Sequence, residues 1–278
     1  MPFRDALFRA AAAAALMASC GALAAAAQVK AEVAARLQQQ IPGIPPSDYA
    51  LGAAALDNEL RSKMQENAAA SAPVIEAGKK LFGRKFRNGR TLAACFPNGG
   101  RRIAAAYPQY DARLKRVVTL EMAVNQCLKA NQEALYETAD ADTMGAVTAY
   151  LRSLFDGQKV AVRVPAAAEE RFEEGRRLYF TRLGQRNFAC ASCHVQSAGR
   201  RYAEQVLSPA LGQATHWPLI RDGHAVTLQM RMRECLELMG AAPFAAGSDE
   251  LNHLEYFLTY LSNGLPLKAN AWRPSTPP

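Results

Sequence analysis

Residues 190–194 read CASCH and residues 226–235 read VTLQMRMREC. The first stretch sets two thiols one helical turn apart, with an imidazole directly behind them. Two sulfurs at that spacing can add to the two vinyl groups of one porphyrin while the adjacent histidine takes the iron from one side, which is why C-x-x-C-H is the attachment pattern of c-type haem. The expectation is one covalently bound haem c on Cys190 and Cys193, with His194 as the proximal iron ligand. The other readings of a cysteine pair fit less well. A thioredoxin-like pair needs a βαβ context that is absent here, and zinc needs two more ligands in a plausible pattern; a structural disulfide is the remaining alternative.

The second stretch has a counterpart. Residues 118–127 read VTLEMAVNQC, which repeats Val, Thr, Leu, Met and the closing Cys 108 residues earlier. Other marks repeat in the same order. IEAGKKLFG (75–83) matches FEEGRRLYF (172–180), and AYLRSLFDG (149–157) matches YFLTYLSNG (256–264). Each copy thus has an entry helix, a first cysteine, the VTLxM run to a second cysteine, and an exit helix. Clean alternating strand runs are missing. The fold class expected is mainly α, with two tandem cytochrome c-like domains, the first degenerate and haem-free. Where the second copy has Cys193 and His194, the first has Asn98 and Gly99 in ACFPNGG, so ordinary haem attachment is closed to it.

The cysteines then divide. Cys127 lies where a distal residue would face an iron that the first copy does not hold, and Cys95 remains as its partner. A Cys95–Cys127 disulfide is expected, closing a 33-residue loop. Such a bridge stabilises by roughly 2–4 kcal/mol. Two separate buried thiols are the alternative. Cys235 is left with no partner at the distal position of the second copy. Arg231 and Arg233 precede it, and a nearby cation favours thiolate, the form that binds metal and attacks sulfur. Guanidinium groups can also hold a small dianion in bidentate fashion. On chemistry alone an inert buried thiol beside two solvated arginines stays open. So do other iron ligands, namely His216, His224, Met230, Met232 and Met239, although methionines are as readily core filler. His253 is expected on the surface of the exit helix.

The elements that must position these groups begin after a leader. Residues 1–27 combine Arg4 and Arg9 with an apolar run and then small residues, the pattern of a signal peptide cut near Ala27. LMASC (16–20) also looks like a lipoprotein processing site at Cys20. Residues 28–70 form an N-terminal extension with a helical pattern through Leu51–Met64. The degenerate domain spans 71–160, opened by Ser71 as a cap, Pro73 in the first turn, and an apolar face of Ile75, Leu81 and Phe82. The haem-binding domain spans 165–270. Both exit helices read as amphipathic and close on a glycine suited to a C-cap. The formal charge of +8 falls to +7 once the leader, with Arg4, Arg9 and Asp5, is removed. That balance suits anionic small molecules or an acidic partner; no nucleic-acid motif is present.

The combination HWPLIRDG, VTLQMRMREC and LEYFLTYLSNGLP after CASCH, with ACFPNGG and VVTLEMAVNQC in the first copy, resembles the SoxA cytochromes of sulfur oxidation over roughly residues 45–268. Loss of the second haem site resembles the single-haem branch. The resemblance implies an L-cysteine S-thiosulfotransferase: a periplasmic heterodimer with a SoxX-type cytochrome c subunit, joining thiosulfate to a cysteine of the SoxYZ carrier protein. Electrons would pass through haem to SoxX and a soluble cytochrome c acceptor. It also implies Cys235 as distal axial ligand and catalytic thiol, carried as a persulfide, with Arg231 and Arg233 binding the sulfonate oxygens. Two other functions compete. One is a plain two-domain electron carrier. The other is a thiosulfate dehydrogenase that forms tetrathionate without a carrier, although those proteins usually carry two CxxCH motifs.

Overall fold

The computed structural model describes residues 24–155, 157–202 and 205–275. The expected signal peptide therefore lies outside the described residues except for its last four, and the Cys20 site lies wholly outside. Helix α1 covers 24–40 and buries Ala26, Val33 and Leu37. The helical pattern expected over Leu51–Met64 is not continuous. A 3₁₀ stretch, Pro46–Ala55, contains Gly52 at φ +61°, and α2 (Asn58–Glu66) starts afresh where the Asp57 carboxylate accepts from the Leu60 N–H at 3.0 Å. A side-chain cap of this kind opens a new helix rather than extending an old one.

Each copy is built round one helix pair. In the first, α3 (Ser71–Gly83) packs on α5 (Ala146–Ser153). Ser71 does not cap α3. It is the first helical residue, and its hydroxyl donates to the Ala68 carbonyl at 3.1 Å. The buried face is Val74, Gly78 and Phe82, spaced four apart, rather than Ile75 and Leu81. In the second copy α6 (Glu169–Phe180) packs on α9 (Asp249–Leu261), with Phe172, Gly175 and Tyr179 buried at the same spacing. The two crossings use equivalent atoms. A Cβ on Gly78 would lie 1.9 Å from the Ala146 carbonyl oxygen, and one on Gly175 would lie 2.0 Å from that of His253. The glycine repeated in both entry helices is thus the point where two backbones touch.

Between these helices each copy carries a short antiparallel hairpin and a capped helix. β1 (Gln109–Asp111) pairs with β2 (Arg116–Val118), and Thr119 then caps α4 (Leu120–Ala130). In the second copy β3 (Arg201–Tyr202) pairs with β4 (Gln205–Val206), β5 (Leu219–Arg221) pairs with β6 (His224–Val226), and Thr227 caps α8 (Leu228–Leu238). The Val-Thr of each VTLxM run is therefore a strand end and an N-cap. The haem motif itself forms a short helix, α7 (Cys190–His194).

The exit helices differ from expectation. α9 is not amphipathic: every residue from Leu251 to Leu261 is buried, because α6, α8 and β2 all pack on it. His253 is accordingly 6% exposed, not on the surface, and its Nδ1 meets the Glu174 carboxylate of α6 at 2.8 Å. Gly157 and Gly264 do turn left-handed, but a few residues beyond the helix ends, where Leu154 and Ser262 occupy the cap.

One hydrophobic core runs through both copies, from Leu120, Val124 and Leu151 to Met232, Leu236, Tyr256 and Leu258. Within it lies a charged cluster made by both halves: Glu121 from α4, Arg152 from α5 and Glu255 from α9, each under 7% exposed. With Thr148, Trp217 and Thr227 they line a cavity with room for about one water molecule. Gln229 Nε2 donates to Glu255 at 2.9 Å. Burial, and then the Glu121 charge, push Glu255 up to about 8, against the pull of Gln229 and Arg152. The native state therefore holds this proton more tightly than the unfolded chain. Stability from this group is full at low pH and is lost as pH rises from about 4.5 to about 8. Glu255→Gln keeps the amide partner and removes the titration. Denaturant unfolding at pH 5 and pH 9 should show the wild type's alkaline loss reduced in the variant by roughly 3–5 kcal/mol. An unchanged difference would mean that Glu255 is ionised throughout.

Candidate functional site

α7 presents both thiols and the imidazole from one turn. Its first turn is held by the Ser192 hydroxyl, which accepts from the Ala189 N–H at 3.1 Å. The His194 ring is oriented from behind. Nδ1 lies 2.8 Å from the Ser208 carbonyl oxygen and 3.1 Å from its hydroxyl, so Nδ1–H donates to the carbonyl and Nε2 keeps its lone pair. Burial pushes His194 down to about 4; the Ser208 bond opposes this and the Arg231 charge adds to it. A neutral imidazole with a fixed tautomer is the metal-binding form.

Two elements bring the sulfurs together, α7 with Cys190 and Cys193 and α8 with Cys235. Cys190, Cys193 and Cys235 are all unbridged thiols. Burial and then the Cys235 charge push Cys190 up to about 12, and the same two causes raise Cys193. Tyr179 of α6 is pushed well up, first by burial and then by all three sulfurs, and its hydroxyl donates to Gln213 at 3.3 Å. Cys235, on α8, thus lies within electrostatic reach of both haem-motif thiols. A cavity of about 250 Å³ opens beside Cys193, with Arg182, Phe188, Arg200 and Tyr202 in its walls. Two thiols on one turn, an oriented neutral imidazole and a third sulfur within electrostatic reach form a donor set that fits a c-type haem.

Arg231 and Cys235 are four apart on α8 and share a face. The Arg231 charge is felt by both Cys235 and His194. The expectation of a favoured thiolate needs correction. Burial raises the Cys235 thiol, Arg231 pulls it down, Glu234 pushes it up, and the net direction is upward. Arg233 makes no hydrogen bond or ion pair among the described residues. His224 and the three methionines are placed elsewhere or otherwise engaged, whereas His216 lies within electrostatic reach of His194 with its Nδ1 unpartnered among the described residues. His224 is exposed on Asp142 at 2.7 Å, Met230 Sδ accepts the Thr227 N–H at 3.4 Å, and Met232 and Met239 are buried in the core. His216 is buried beside Trp217, under the spot where a Cβ on Gly52 would sit 2.6 Å from its ring.

Sequence reasoning did not name Ser208, Tyr179, Arg221 or Glu234. Ser208 lies in a loop 14 residues from His194, and no spacing rule points to it. Glu234 was legible as the acid three residues after Arg231, an i,i+3 neighbour on a helix.

In the first copy Cys95 and Cys127 are joined, with Cα atoms 5.8 Å apart. Asn131 Nδ2 lies 3.6 Å from the Cys95 sulfur and 3.8 Å from that of Cys127. Where the second copy has α7, the first has a 3₁₀ turn, Pro97–Gly100, with Asn98 at φ +51° and Gly99 at φ +63°.

Comparison with known proteins agrees with this arrangement. The family model described as SoxA/TsdA, cytochrome c domain, matches residues 77–160 and again 174–267. The L-cysteine S-thiosulfotransferase subunit SoxA of Chlorobaculum tepidum is 40% identical over 241 residues, covering 85% of this chain and 84% of that protein. The subunit of the same name from Allochromatium vinosum is 35% identical over 240 residues, covering 84% and 85%. A crystal structure of SoxXA from P. pantotrophus superposes with a TM-score of 0.71 at 26% identity, covering 78% of this chain and 84% of the other. No helix among the described residues is long and apolar enough to cross a membrane. With the family model matching twice along its length and relatives 35–40% identical over most of both chains, this chain belongs to the SoxA family of c-type cytochromes.

Proposed function

We propose that this chain is the SoxA subunit of a periplasmic L-cysteine S-thiosulfotransferase, paired with a SoxX-type cytochrome c. The observation that carries this reading is the convergence of Cys235, Arg231 and the CASCH turn on one site. Cys190 and Cys193 would carry one haem c, with His194 and Cys235 as its axial ligands. Bound there, haem c supplies a one-electron acceptor next to the reacting sulfur and an exit toward SoxX and a soluble cytochrome c.

The reaction joins thiosulfate to a thiolate of the SoxYZ carrier. One sulfur–sulfur bond forms, two electrons leave, and the charge on the organic product is that of its single sulfonate. Two anions must meet, and their repulsion is the first obstacle. The Arg231 guanidinium offsets it by holding the sulfonate oxygens in a partly water-excluded place. The Cys235 thiolate would bond to the outer sulfur of thiosulfate with loss of two electrons to the acceptors named above, and the carrier thiolate would then attack that sulfur and release Cys235 as thiolate. Separate domains over 71–160 and 165–270, and export by the leader, complete this reading.

The test is reconstitution. Haem-loaded protein with its SoxX-type partner, SoxYZ, cytochrome c and thiosulfate should reduce cytochrome c only when the carrier is present. The carrier should gain a thiosulfate adduct that reductant removes. Tetrathionate formed without carrier would replace this reading with a thiosulfate dehydrogenase. Haem reduction with no sulfur product would leave a plain electron carrier.

A further inference from the structure

Glu234, immediately before Cys235, is shared by two guanidiniums. Arg231 Nη1 donates to Oε2 at 2.8 Å, Arg221 Nη1 donates to the same oxygen at 3.2 Å, and Arg221 Nη2 donates to Oε1. Arg221 comes from the end of β5, while Arg231 and Glu234 come from α8. The side chains of Arg221, Arg231 and Glu234 are 20%, 26% and 32% exposed, so the trio opens to solvent. Among the described residues Nη1 is the one Arg231 nitrogen bonded to protein, which leaves Nε and Nη2 as a planar edge for an oxyanion.

The charges decide what this geometry does. Arg231 and Glu234 alone would be a neutral pair beside the thiol, a poor place for an anion. Arg221 grips both carboxylate oxygens, and the trio then carries one net positive charge. We infer that Arg221 is a positioning residue for anion binding at Arg231: by engaging Glu234 it leaves the inner guanidinium positive and keeps the carboxylate turned away from the bound anion. This inference rests on the proposed role of Arg231 toward thiosulfate. The same arrangement keeps the net charge at one rather than two, which limits how tightly the site holds the singly charged sulfonate of the product. A purely structural strap between β5 and α8 would use the same hydrogen bonds but would not respond to the sign of the charge.

Thiosulfate binding to the haem-loaded complex, measured by calorimetry at fixed ionic strength, separates the two. Arg221→Gln makes the trio neutral and should weaken binding about fivefold; Glu234→Gln makes it doubly positive and should tighten binding about fivefold. The double variant returns to one positive charge and should bind within about twofold of wild type. Haem absorbance confirms that each variant is folded and loaded. Weaker binding in Glu234→Gln, no recovery in the double variant, binding that ignores all three changes, or no binding by the wild type would each overturn the inference. The carrier assay on the same proteins tests the underlying reading separately. The expected binding order without carrier-dependent turnover would sink the thiosulfotransferase and keep the charge assignment, and turnover without that order would do the reverse.

Discussion

Cys235→Ser is expected to lower carrier-dependent thiosulfate turnover by about a thousandfold or more, while haem remains covalently attached. Removing a covalent nucleophile costs at least this much where the rest of the site cannot replace it. Nothing else here can. On the proposed assignment Cys190 and Cys193 are committed to the porphyrin, and Cys95 and Cys127 are bonded to each other. Serine keeps the size of the side chain and Arg231 on the same helix face, so thiosulfate binding should change far less than turnover. Haem attachment depends on α7, which the substitution does not touch. The visible spectrum should change as an axial sulfur is lost. Turnover within tenfold of wild type, with an unchanged spectrum, would remove Cys235 from the chemistry and favour a plain electron carrier.

The second large effect lies away from the sulfur. Gly175→Ala should destabilise the protein by roughly 3–5 kcal/mol, as overpacking against rigid backbone does at its upper end. The added carbon would lie 2.0 Å from the His253 carbonyl oxygen, 2.5 Å from its carbon and 3.1 Å from the Leu254 nitrogen. All three are backbone atoms of α9, so no side chain can swing aside. α6 would have to back away from the helix that fills the centre of the second copy, and Tyr179 would leave the sulfurs with it. Gly83→Ala is the control, since a Cβ there meets nothing within 4 Å. The yield of haem-loaded protein and its unfolding midpoint measure both. A wild-type midpoint in Gly175→Ala would show that the helices can part at little cost.

Much of the site could be read in the chain because its chemistry is local. CASCH is a single turn, and the repeat of VTLxM to a cysteine places Cys127 and Cys235 at equivalent positions whatever surrounds them. Cys95 and Cys127 follow from the same register. The helix pairs were readable as entry and exit marks, yet their glycines carried no visible meaning until the crossing was known. The failures are long-range. Whether α9 is amphipathic depends on three neighbours distant in sequence, so His253 was assigned to the wrong side. The Cys235 pKa was judged from two nearby arginines, whereas burial and Glu234 decide it. Arg221 was quoted within HWPLIRDG but could not be tied to Arg231 without the hairpin that carries it toward α8.

The turn at Pro97–Gly100 bears on what the first copy could be made to hold. Writing cysteine and histidine back at Asn98 and Gly99 would restore the letters of a haem motif but not its backbone. Both positions sit in left-handed conformations, and histidine in place of Gly99 would have to hold φ near +63°. Cys95 would first have to be released from Cys127, and the turn rewound into a helix. Two substitutions alone would therefore not build a haem site in the first copy, because the left-handed turn and the disulfide both oppose it.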